Sequence, residues 1–118
     1  MTPRDSQDYL ADLLTSAREV KAFTRGMSFA RFEKDRKTIN AVIRSLEVMG
    51  EAAKQIPEDL KRRHPEIPWK RMAGMRDKLI HEYSGVDLEI VWTVLREELP
   101  PLVPLLKSIY REVKKSDL

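Results

Sequence analysis

The sequence predicts an all-α fold. Apolar residues recur at three- and four-residue intervals along its 118 positions, and no stretch alternates apolar and polar residues as a half-buried strand would. The Gly and Pro punctuation falls where such helices would end. The length allows one compact domain, expected to span residues 1–118. With 42% hydrophobic and 35% charged residues, the chain is too apolar for disorder and too broken by charge for a membrane span. The start, Met1 to Asp12, lacks the basic end and apolar stretch of a secretion signal, so a cytoplasmic location is expected. With no Cys, there is no disulfide, thiol nucleophile or Cys-based metal site, and two His leave little for transition metals.

The first helix should begin near Asp5 or Ser6, bury Tyr9, Leu13, Ala17 and Val20, and end at Arg25-Gly26. Ser28 suits the cap of a long second helix whose stripe runs Phe32, Ile39, Val42, Leu46, Met49, Ala53 and Ile56, stopped by Pro57. Between Pro57 and Pro68 there is room for about two turns, Glu58 to Arg63, so this stretch reads as an elbow. Pro68 suits the first turn of a third long helix with Trp69, Met72, Leu79 and Ile80 on its apolar face, ending at Ser84-Gly85. Asp87 caps a fourth, with Leu88, Val91, Val94, Leu95, Leu102, Leu105 and Ile109 inward. Pro100, Pro101 and Pro104 should kink or divide it, giving a four-to-five-helix bundle.

Arg76 breaks the pattern. At roughly 100° per residue, Trp69, Met72, Leu79 and Ile80 all fall within about 60° of it, so it sits at the centre of the third helix's apolar face. A buried charge left without a partner costs about 3–5 kcal/mol, so Arg76 must meet a carboxylate or open onto a polar cleft. Candidates are Asp35, in the second helix's stripe, and Glu47 and Glu51, which with Asn40 and Arg44 form a polar ribbon along its edge. A metal site built from Asp35, Glu47 and Glu51 is disfavoured because Arg44 already neutralises part of that ribbon. Tyr83, seven residues after Arg76, shares its face, whereas His81 points about 140° away. Either the helix distorts near its end or a second copy of the chain completes the site. His64, in the elbow, reads as exposed.

The net charge is only +3, but Lys61, Arg62, Arg63, Lys70 and Arg71 against Glu66 make the segment 61–71 strongly basic by itself. That segment leads directly into the helix of Arg76.

The run Arg76-Asp77-Lys78-Leu79-Ile80-His81-Glu82-Tyr83 resembles the R-x4-H-x-Y motif of the HEPN superfamily. The run Arg44-Ser45-Leu46-Glu47-Val48-Met49-Gly50-Glu51-Ala52 is similar to the R-x-x-E-x-x-G-E-A wording of the HepT-like branch, toxins paired with a minimal nucleotidyltransferase (MntA-like) antitoxin. The resemblance covers nearly the whole chain. It implies a HEPN-type bundle that forms a homodimer with the motif helices meeting in a shared cleft, and the toxin of a type VII toxin–antitoxin system. It further implies a metal-independent endoribonuclease needing no cofactor, with Arg76 and His81 acting on the phosphodiester, Asp77 as the polar residue that follows the Arg, and Tyr83 as the acceptor of AMP. The competing reading is a non-catalytic dimeric helical module that binds a nucleotide or a partner protein through the same cleft.

Overall fold

A computed structural model of the chain describes residues 4–81 and 87–116; for Arg76 and residues 78–81 it gives the place on the helix alone. The described residues form helices and the connections between them, without a strand, and none of these helices is long and apolar enough to cross a membrane.

Helix α1 (Ser6–Phe23) starts on a reciprocal cap. The Asp5 carboxylate accepts from the Asp8 backbone N–H at 3.0 Å, and the Asp8 carboxylate accepts from that of Asp5 at 3.1 Å. Its far end is closed by the buried Thr24 hydroxyl, which donates to the Val20 carbonyl at 2.8 Å, and by Gly26 at φ 75°, a conformation that needs glycine.

The expected long second helix is two helices, α2 (Phe29–Phe32) and α3 (Arg36–Gln55). Ser28 caps only the four-residue α2. The division arises at Asp35, which lies not on an apolar stripe but at the α3 N-cap, where its carboxylate accepts the Thr38 N–H at 3.0 Å. That bond, followed by one from the Thr38 hydroxyl, holds the Asp35 carboxyl below its ordinary range. Phe32, at the end of α2, is fully buried with its ring 5.1 Å from that of Trp92.

After Pro57, α4 (Glu58–Arg63) and the turn to Pro68 form the expected elbow, anchored by buried Leu60 and Ile67. The Trp69 indole donates to the His64 carbonyl at 3.0 Å, tying the elbow to the start of α5 (Trp69–His81). The expected Ser84-Gly85 terminus lies outside the described residues.

The C-terminal part is divided, as the prolines suggested, but the irregularity precedes them. Helix α6 (Leu88–Thr93), capped by Asp87, runs into a wider π-helical turn over Val94–Glu98 and then α7 (Leu99–Ser116). Pro100 and Pro101 occupy the first turn of α7, where a missing N–H costs little; only Pro104 lies inside. The buried stripe of α7 runs Leu99, Leu102, Leu106, Ile109. Leu105, expected inward, is exposed, because one residue's rotation takes it off the four-three spacing that Leu106 keeps.

Helix α3 packs between α1 and α5, and α7 covers the other flank of α1. Arg96 fastens the π-helical turn to the α1–α2 connection: its guanidinium lies 4.3 Å over the Trp92 ring and donates to the carbonyls of Thr24 (3.0 Å) and Met27 (2.8 Å).

Two outcomes are expected. Phe32→Ala should lower unfolding stability by about 3–5 kcal/mol in chemical denaturation. Because folding depresses the Asp35 pKa, its contribution is present at neutral pH and lost as pH falls through the folded-state value. Asp35→Asn, which keeps the acceptor, should therefore show a shallower loss of melting temperature on acidification than wild type.

Candidate functional site on helix α5 and the elbow

Helix α5 carries Arg76 and ends at His81. Their side chains lie outside the described residues, as does the whole of Tyr83. The described part of the helix turns the expected face inward: Trp69 and Met72 are buried, and Met75 packs against the same core. Asp77, the residue after Arg76, instead faces the outer edge, where its carboxylate accepts from the Lys54 ammonium at 2.5 Å. This ion pair joins the last turn of α3 to α5 one residue beyond the motif Arg.

The α3 ribbon lies where a helix edge was expected. Asn40, Arg44 and Glu51 are exposed, Glu47 is partly covered, and Arg44 pairs with Glu47 at 3.7 Å. Across a shallow cleft from Arg44, Glu47 and Glu51 stand Arg4, Tyr9 and Asp12 of the α1 end. Arg4 bridges Asp12 at 2.5 Å and lies 5.1 Å over the Tyr9 ring. Asp35 belongs to neither cleft nor motif: sixteen residues of α3 separate it from Glu51, about 24 Å along the axis, so Asp35, Glu47 and Glu51 cannot converge on one metal ion.

The basic elbow is more nearly neutralised than its sequence suggests. Lys61 pairs with Glu58 at 3.6 Å, Arg63 with Glu112 at 3.4 Å, and Arg71 with Glu98. Among the described residues, Arg62 and Lys70 are exposed and carry no ion pair. Glu98 and Glu112 come from the C-terminal helices, and no local spacing could reveal them. His64 is not exposed: only 16% of its side chain reaches solvent. Its Nδ1 is 3.3 Å from Glu66, and its enclosed Nε2 has Glu112 at 3.2 Å, out of line for a hydrogen bond. Sequence reasoning also passed over Lys54, which reads as an ordinary cation in a helix's last turn.

An all-α bundle whose α5 carries the Arg76 and His81 of an R-x4-H-x-Y run is a protein of the HEPN type. Residues 13–109 match the family model described as ribonuclease HepT-like, and the chain belongs to that family of RNA-cleaving enzymes. It is 52% identical to a Thermococcus cleftensis protein named a probable ribonuclease HepT, over 84% of this chain and 90% of that one. It is 42% identical to a Methanocaldococcus jannaschii protein named as a candidate RNase, over 99% and 97% of the two chains. A Caldanaerobacter subterraneus protein, also named as a candidate RNase, is 42% identical over 96% and 98%. No solved structure matches the chain.

The elbow's anchoring is open to measurement. Glu112→Gln removes a charge that both Arg63 and His64 face, so the amides of His64, Glu66 and Ile67 should exchange faster with solvent. The melting temperature should barely move, since exposed pairs contribute about 1 kcal/mol or less.

Proposed function

We propose that the chain is a metal-independent endoribonuclease, the toxin of a type VII toxin–antitoxin pair, acting as a homodimer of single HepT-like domains in the cytoplasm. The observation that carries this reading is the intact sequence run of Arg76, His81 and Tyr83 in a chain of the ribonuclease HepT-like family.

The chemistry fits those side chains. His81 takes the proton of a ribose 2′-OH, the freed oxygen attacks the adjacent phosphorus, and the 5′-oxygen leaves with a proton from a second acid. The products are a 2′,3′-cyclic phosphate and a 5′-hydroxyl. An imidazole exchanges protons near neutrality, and such help is worth about 10²–10⁴ in rate. One His per motif helix serves poorly as both base and acid, which the His81 of a second copy would remedy. Arg76 supplies a permanently charged, planar donor for the phosphorane oxygens. Asp77, Arg44, Glu47 and Glu51 support the motif helix and its surroundings, and Lys61, Arg62, Arg63, Lys70 and Arg71 attract the RNA backbone.

Control of the enzyme follows the same chemistry. A nucleotidyltransferase antitoxin transfers AMP from ATP to the Tyr83 hydroxyl, forming a phosphodiester and releasing pyrophosphate. The added phosphate beside Arg76 occupies the anion site and repels RNA.

Purified protein should cleave RNA in EDTA, and His81→Ala should reduce the rate at least about 100-fold. Undiminished cleavage by that variant would remove His81 from the mechanism, and no cleavage by wild type would favour a binding module. Sedimentation at micromolar concentration should give a dimer mass. Incubation with the antitoxin and ATP should add AMP mass to wild type and none to Tyr83→Phe.

A further inference from the structure

A groove runs along the outer edge of α5, and three lysines from three helices line it. Lys54 stands at the end of α3, Lys61 in α4 and Lys70 in the first turn of α5. One side follows helical spacing: Lys70 and the small Ala73 line the groove three residues apart on one stripe of α5, and four residues further along that stripe stands Asp77, the partner of Lys54. From Lys70 to Asp77 the stripe rises about 10 Å, and its upper end is the residue next to Arg76. That length accommodates about three nucleotides at the roughly 3.4 Å spacing of a stacked strand.

The charges suit a polyanion. Lys70 carries no ion pair among the described residues, and the carboxylates that meet the other two lysines, Glu58 and Asp77, are themselves open to solvent. An ammonium has three donors, so Lys54 can hold Asp77 with one and a phosphate oxygen with another. The groove offers no platform for bases: its aromatic residue, Trp69, is 6% exposed and committed to the His64 carbonyl. Contacts here are to the backbone, whatever the base sequence.

We propose that Lys54, Lys61 and Lys70 form a phosphate track that holds one flank of a single-stranded RNA beside the cleavage point, with Lys54 the contact next to the motif. This rests on the ribonuclease reading above, and it adds a residue, Lys54, outside the basic elbow. Arg71 also lines the groove but is held by Glu98, and Arg63 is held by Glu112, so both contribute less.

The test is binding of a fully 2′-O-methylated, uncleavable single-stranded RNA in EDTA as a function of salt, run beside cleavage of ordinary RNA. Lys54→Ala, Lys61→Ala and Lys70→Ala should each lower the salt slope of log K by about 0.7, and the triple variant by about 2. Lys54→Arg should restore the slope, and Lys37→Ala, about 25 Å away at the other end of α3, should leave it unchanged. Lys70, exposed and unpaired, can be removed without disturbing the fold, so the track is testable even if Lys54→Ala destabilises the α3–α5 contact. Wild-type slopes in Lys70→Ala and in the triple variant, with wild-type protein still cleaving RNA, would overturn the track and leave the ribonuclease reading standing. Lysine-dependent binding without cleavage by wild type would support the track and sink the catalytic reading. Absence of RNA binding by wild type overturns the track.

Discussion

Helix α3 is packed on two sides at once, by α1 and by α5, and this double burial governs the rest of the bundle. A helix in that position needs a wide apolar surface with small residues, and Gly50, Ala52 and Ala53 are all buried in its second half. The only strip left for charge is the outer edge, where Arg44, Glu47, Glu51 and Lys54 stand. Helix α5, which carries Arg76 and His81, is thereby held against α3. A site built on packed helices keeps its geometry better than one built on loops.

The same constraint explains how charge is distributed. Carboxylates from distant parts of the chain, Glu98 and Glu112, engage cations of the elbow. The net charge of +3 therefore understates the contrast between neutralised and open positions. Within the segment 61–71, the positions left open are Arg62 and Lys70, the second of them at the foot of α5.

Much of the bundle was legible in the sequence because its signals are local. Asp5, Pro57 and Asp87 mark helix ends through bonds or missing donors within a few residues. The split between α2 and α3 was misread because Phe32 and Ile39 stand seven residues apart, a spacing that a continuous helix and two separate ones satisfy equally. Only the hydrogen bonding of Asp35 decides between them. The exposed Leu105 and buried Leu106 differ by one step of rotation, which hydrophobicity alone cannot resolve. The helix that carries Arg76 and His81 was legible from Pro68 and from the spacing of Trp69 and Met72. The enclosure of His64 and the pairing of Lys54 with Asp77 were not, since each depends on residues 23 or more positions away.

The contact between α1 and α7 gives the molecule a temporal property. Gln7 and Tyr110 meet at 3.3 Å across 103 positions of sequence, and α7 covers a flank of α1 that nothing earlier in the chain covers as extensively. During synthesis, which proceeds from the N-terminus, α1, α3 and α5 emerge with part of their core still open. The bundle closes only after residues as late as Tyr110 have left the ribosome. The first helix of the chain therefore waits for one of the last described residues before its flank is covered.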